Sequence, residues 1–199
     1  MEINPQNLKN TESYHLLCSI LVPRPIAWVS TVDDTGRPNL APFSFFAAVT
    51  SAPPTLMLSV GRRRGQRKDT SNNLLATQEA VVHIPSHTNA NAMVATSADF
   101  TVDIDEFAVC GLTPIKSHKI KPQRIAEAAI AMETKMISHH LFGEAPTDVF
   151  FLEVVHFHIA DEIYKEGRID SQLLAACGRL GGNQYCTTTN IFEIDRKSS

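Results

Sequence analysis

Apolar residues come in short bursts broken by proline, glycine and polar clusters along most of the chain, a rhythm of strands more than of long helices. Leu16, Leu17, Ile20 and Leu21 predict a helical turn or two, which Pro23-Arg24-Pro25 ends, because proline lacks an amide N–H and restricts the residue before it. Ile26 to Val32 reads as a strand, Asp33-Asp34-Thr35-Gly36 as a turn, and Pro38 to Leu40 as the returning strand of a hairpin. Residues 42–50 are apolar without a clean period, Pro53-Pro54 punctuates, and Thr55 to Val60 is a further strand. A polar, basic loop covers 61–68. Asp69 or Thr70 is the candidate N-cap of a short helix, Ser71 to Gln78. Ala80 to Pro85 is a strand closed by proline, and 87–97 a second short helix.

The second half repeats the theme at lower contrast. Ile130 to Ile137 alternates, Val149 to Ile159 is the longest strand candidate, and 161–171 is a charged turn region broken by Gly167. Leu173 to Ala176 forms a helical turn, and Gly178-Arg179-Leu180-Gly181-Gly182 is expected to be irregular. Six or more strands with few helices predict an all-β core with flanking short helices, whose edges a closed barrel would remove. The strand–helix alternation over 55–97 would also suit a parallel α/β sheet, but the helices are too few and short to cover two sheet faces. At 199 residues, a single domain over 1–199 is expected.

Composition narrows the classes. The chain is 43% hydrophobic and 20% charged, with 18 basic against 21 acidic residues and a net charge of −3, which argues against a general nucleic-acid binder. The polar start, MEINPQNLKNTESY, lacks a secretory pattern, and no apolar run approaches the roughly 20 residues of a membrane span. A cytoplasmic protein is expected, with no nucleic-acid and no membrane partner. Cys18, Cys110, Cys177 and Cys186 are far apart and read as free thiols in apolar surroundings.

The densest chemistry lies in residues 39–70. Arg62, Arg63, Arg64, Arg67 and Lys68 make a basic loop, which on composition alone is a solvated surface. The residues at its carboxy-terminal end favour a phosphate. Lys68 brings a charge, Thr70 a hydroxyl, and the start of the helix its backbone amides, a combination that attracts anions. Asp69 fits a cap, or a partner that orients a neighbouring cation. Phe43, Phe45 and Phe46 read as core before they read as a ligand wall, whereas a buried Ser44 hydroxyl needs a partner. His156 and His158 lie two apart on a strand, and His139-His140 is a second pair. With no third ligand in view, no metal site is expected. No nucleophile–base set stands out, and no catalytic side chain is assigned. No G-x-G-x-x-G is present, so a Rossmann site is unsupported.

The ordered set PRPIAWVST (23–31), APFSFF (41–46), PP (53–54), KDT (68–70), PQRIAEA (122–128) and RLGGNQY (179–185) resembles the flavin reductase-like family of FMN-binding split barrels. The resemblance spans nearly the whole chain. It implies a six-stranded antiparallel Greek-key split β-barrel of the FMN-binding type, assembled as a homodimer with FMN near the interface. By resemblance, ring and ribityl contacts come from 41–48, including Ser44, Phe45, Phe46 and Ala47, and from the strand end at Ser30 and Thr31. Phosphate contacts come from around Ser59 and from Lys68, Asp69 and Thr70. Ala47 stands where many relatives carry asparagine, Glu127-Ala128-Ala129 where they read Glu-Ala-Pro, and the loop is unusually rich in arginine, which would suit an NADPH 2′-phosphate.

The resemblance implies an FMN-dependent oxidoreductase using NADH or NADPH as a transient co-substrate. Electrons would pass to free flavin, to a small-molecule acceptor such as ferric iron, or to a partner oxygenase. The alternative from another class is a non-catalytic FMN binder, an electron carrier or flavin store. A nucleic-acid binder using the arginine loop ranks last.

Overall fold

The computed structural model describes residues 1–101 and 104–195. After helix α1 (Asn10–Ile20), seven strands build one antiparallel sheet: β1 (Ala27–Val32), β2 (Pro38–Phe43), β3 (Phe46–Ser51), β4 (Pro54–Val60), β5 (Glu79–His83), β6 (Ile130–Phe142) and β7 (Thr147–Ile159). Helices α2 (Asp69–Thr77), α3 (Ala90–Ala95) and α4 (Glu106–Val109) flank it. Among the described residues no helix is long and apolar enough to cross a membrane.

The strand order is β2-β1-β5-β6-β7-β4-β3. The two edge strands are consecutive in the chain and separated only by Ser44 and Phe45. Residues 38–51 therefore act as one bent strand that joins both edges and closes the sheet into a six-stranded barrel. The Phe45 carbonyl accepts from the Ser59 amide at 2.9 Å, so pairing with β4 begins inside the bend. With β2 and β3 taken as one, β5 lies beside β1, and β4 lies beyond the bent strand. That is the 4-1-2-3 order of a Greek key.

Alternation on β1 explains why all six of its residues are buried. Ala27 and Val29 point into the barrel with Leu58, Phe150 and Leu152. Ile26 and Trp28 point outward, into a second core with Met93 of α3, Phe107 of α4 and Ile125. The turn before β2 is set by Asp33, whose Oδ1 accepts from the amides of Thr35 and Arg37 at 2.9 and 2.8 Å, and by Gly36 at φ 89°.

Several boundaries differ from the sequence reading. The cap of α2 is Lys68, in extended conformation and without a side-chain cap bond; Asp69 is the first helical residue. β6 and β7 run 13 residues each, longer than expected, because pairing carries polar residues such as His139 and His140 past the apolar stretch. Gly178 and Arg179 are not irregular. Cys177–Arg179 is a strand paired on one side with Arg24–Pro25 and on the other with Tyr185–Thr187. A Cβ on Gly178 would sit 2.8 Å from Cys186 Sγ and 2.9 Å from Pro23 Cβ, so only glycine lets these strands close.

Candidate functional site

A groove opens where the first turn of α2 meets β2 and the loop before α4. Asn39, Arg63, Lys68, Asp69, Thr70 and Glu106 are among its lining residues. Helix α2 is held there by buried polar groups. Asn39 Nδ2 donates to Thr70 Oγ1 at 3.0 Å, and Asn73 Nδ2 to Thr31 Oγ1 at 3.0 Å. Leu74, one turn on, is wholly buried in the barrel core. The helix thus has its amino end fixed at the groove. The first helical bonds run from Ser71 and Asn72 to the Lys68 carbonyl, so the amides of Asp69 and Thr70 precede the ladder, as the leading N–H groups of any helix do. Ser71 Oγ, buried in the same turn, has no hydrogen-bond partner.

Two carboxylates hold the four arginines of the basic loop and offset half of their charge. Arg62 Nη1 and Arg67 Nε lie 3.3 and 3.2 Å from the Asp148 carboxylate, which is fully buried and also meets His139 Nε2 at 2.8 Å. Arg63 and Arg64 pair with Asp99 at 2.6 and 3.3 Å. Among the described residues Lys68 has no carboxylate partner. Its Nζ sits 5.2 Å from the centre of the Phe43 ring, half-buried. Burial pushes its ammonium below the usual lysine range, and Arg63 adds repulsion. Glu106 accepts from the Leu40 amide at 3.2 Å. Burial, reinforced by the charges of Asp69 and Asp105, pushes its carboxyl up. A desolvated cation and the leading amides of a helix form a receptor for a compact anion.

The structure therefore brings Lys68, Asp69 and Thr70 to one groove, with Thr31 behind it in the amide–hydroxyl network. Ser30 points the other way. Its hydroxyl donates to the Gln123 carbonyl at 2.7 Å, on the opposite face of β1 from Thr31. Ser44 accepts from Arg24 Nε at 3.2 Å, and Phe45 meets the Tyr14 ring, with centroids 6.1 Å apart. Phe46 packs partly against the barrel core, Ala47 is exposed on β3 and Ser59 is half-buried on β4. Arg179 and Tyr185 engage each other, the guanidinium over the ring at 4.6 Å.

Asn39, Glu106 and Arg24 were missed by sequence reasoning. Arg24, nearly buried, donates to the carbonyls of Cys18, Leu21 and Leu180 as well as to Ser44. It ties the end of α1 and the carboxy-terminal arm to the bend of the barrel. Asparagine is depleted in strands, so Asn39 inside β2 carried a signal; Glu106, in a stretch of weak pattern, carried none.

The sequence matches the family described as "Flavin reductase like domain" over residues 19–179. An uncharacterised protein of Halalkalibacterium halodurans is 35% identical over 98% of this chain and 96% of its own. One of Aquifex aeolicus is 38% identical over 86% of this chain and 88% of its own. Among solved structures, nitrilotriacetate monooxygenase component B from Bacillus cereus superposes with a TM-score of 0.94 at 35% identity, covering 98% of both chains. The 2-nitrobenzoate 2-nitroreductase of Pseudomonas fluorescens gives 0.91 at 30% identity, covering 100% of this chain and 97% of its own.

Proposed function

The chain belongs to the flavin reductase-like family, and we propose that it is an FMN-binding oxidoreductase that takes electrons from NADH or NADPH. It passes them to free flavin, to a small-molecule acceptor such as ferric iron, or to a partner oxygenase. Two of its structural relatives are a monooxygenase component and a nitroreductase, names that favour an electron-delivering role. Its expected compartment is the cytoplasm, and its cysteines are free thiols, in keeping with a reducing one.

The observation that carries the reading is Lys68, a cation with no acidic partner among the described residues, held beside the amino end of α2. The groove fits the phosphate end of FMN. Lys68 supplies charge, and the amides of Asp69 and Thr70 supply donors. Asn39 and Asn73 hold the helix in place by gripping Thr70 and Thr31. Arg24 fixes Ser44 and so the bend that presents Phe45, Phe46 and Ala47. When bound, the flavin supplies the redox chemistry, accepting hydride from the nicotinamide. The side chains bind and orient, and none is assigned a proton transfer.

The test begins with the absorbance spectrum of the purified protein before and after soaking in FMN. Bound flavin and rapid oxidation of NADH or NADPH in the presence of free FMN or a ferric chelate are expected. A protein that stays colourless after soaking overturns the reading. One that holds FMN yet oxidises neither nicotinamide is an electron carrier or flavin store instead.

A further inference from the structure

His156 and His158 share one face of β7, opposite Glu133 and Ala131 of β6. Two imidazoles on a strand make a poor site by themselves, and sequence spacing offered no third. The fold supplies it. His118, about forty residues earlier in the chain, lies over the same face. Its ring centre is 5.0 Å from that of His156 and 4.8 Å from that of His158, and the last two are 4.6 Å apart. One ring nitrogen from each of the three falls within 4.8 Å of the other two.

Close aromatic packing alone would account for the ring distances. It would not account for what lies beneath them. Glu133 is fully buried, and its two oxygens accept from the backbone amides of His118 and Lys119 at 2.7 and 2.6 Å. The same carboxylate meets Nε2 of His158 at 2.6 Å. One buried carboxylate thus fixes both the backbone that carries His118 and the ring orientation of His158, leaving Nδ1 of His158 for another partner. A carboxylate that holds one ring nitrogen while the other faces an ion is the usual outer support of a metal-binding histidine.

We propose that His118, His156 and His158 form a binding site for one divalent transition-metal ion of the zinc class, with Glu133 as its positioning carboxylate. Three neutral imidazoles suit zinc and its neighbours rather than calcium or magnesium. His118 is exposed and the other two are half-buried, so the fourth position faces solvent and is open to water or a small anion. The ion joins the loop around His118 to the β6–β7 hairpin. It lies apart from the anion groove: Asp148, which anchors the basic loop, is ten residues back along β7, up to about 33 Å at ~3.3 Å per residue.

The test uses tag-free, full-length protein stripped with a chelator and titrated with zinc alone, by calorimetry and in competition with a chromophoric chelator. One ion per chain is expected. His118→Ala and His156→Ala should each weaken binding by more than about 100-fold, and Glu133→Gln by about 10- to 100-fold. His118 is exposed, so its variant should keep the parental circular dichroism; zinc should raise the melting temperature of the parent and not of His118→Ala. Cobalt in place of zinc should give the weak visible bands of nitrogen ligation without thiolate charge transfer. The absence of stoichiometric binding overturns the site. So does binding that survives in both histidine variants, which would assign the ion to the cysteine thiols.

Discussion

Lys68 is the cation on which anion binding turns. Its four arginine neighbours in the loop are held in pairs by Asp99 and Asp148, whereas Lys68 has no carboxylate partner among the described residues, and desolvation holds its own ammonium below the ordinary range. A phosphate would relieve that strain on its charge. Lys68→Ala should weaken FMN binding by about 10- to 100-fold, from the ~1.5–3 kcal/mol of a hydrogen bond to a charged group. Riboflavin, which has no phosphate, should bind both proteins alike. Fluorescence titration of the two ligands makes the comparison, and an equal loss for both would move Lys68 away from the phosphate. Thr70 is a less clean probe. Its hydroxyl accepts from Asn39 in a buried site, so Thr70→Ala would strand an amide at a cost of about 1–3 kcal/mol. Lys68 and Thr70 were legible in the chain because a cation, a hydroxyl and a helix start are consecutive. Asn73 and Glu106 were not, and Asn39 stood out only as an asparagine in a strand, because each acquires its partner only across the fold.

Among the elements, β1 is the most heavily constrained, with one core on each side and β2 and β5 as neighbours. His83, at the end of β5, completes its environment. Its Nδ1 lies 2.9 Å from the Trp28 carbonyl, and its Nε2 lies 3.0 Å from the Ile125 amide. A carbonyl only accepts and an amide only donates, so the ring carries its proton on Nδ1 and is neutral. Complete burial, helped by the charge of Arg124, lowers its pKa from 6.5 to about 4. The unfolded chain therefore binds a proton first as pH falls. Stability is intact above about 6.5 and is lost as pH drops toward about 4. Urea unfolding should show about 2 kcal/mol lost to this group between pH 7 and pH 5. His83→Gln, less stable throughout, should have a shallower slope by that amount; an unchanged slope would show that His83 is not the titrating group. The strand itself was plain in the sequence, from its β-branched and aromatic run, but its double burial was not. A two-sided strand and a buried helical turn look alike in a short apolar segment.

For the whole molecule, the bend at Ser44 and Phe45 makes a barrel from a sheet and leaves β3 facing outward. Five of its six residues are exposed, Val49 among them, and Leu17, Ile20, Leu21 and Val22 expose a further apolar run at the end of α1. We propose that a second copy covers these surfaces. Light scattering should give twice the chain mass, and a stable monomer that still retains flavin would refute the homodimer. Readable along the chain were a barrel-forming set of short strands, a helix start behind a basic loop, and the family resemblance. Those features are local, written in neighbouring residues and their alternation. Folding alone pairs the arginines with Asp99 and Asp148, sets Asn39 and Asn73 to steady the groove, and brings His118 to His156 and His158 above Glu133. Each of these depends on which strands lie side by side, and strand order comes from burying two cores at once rather than from any one segment.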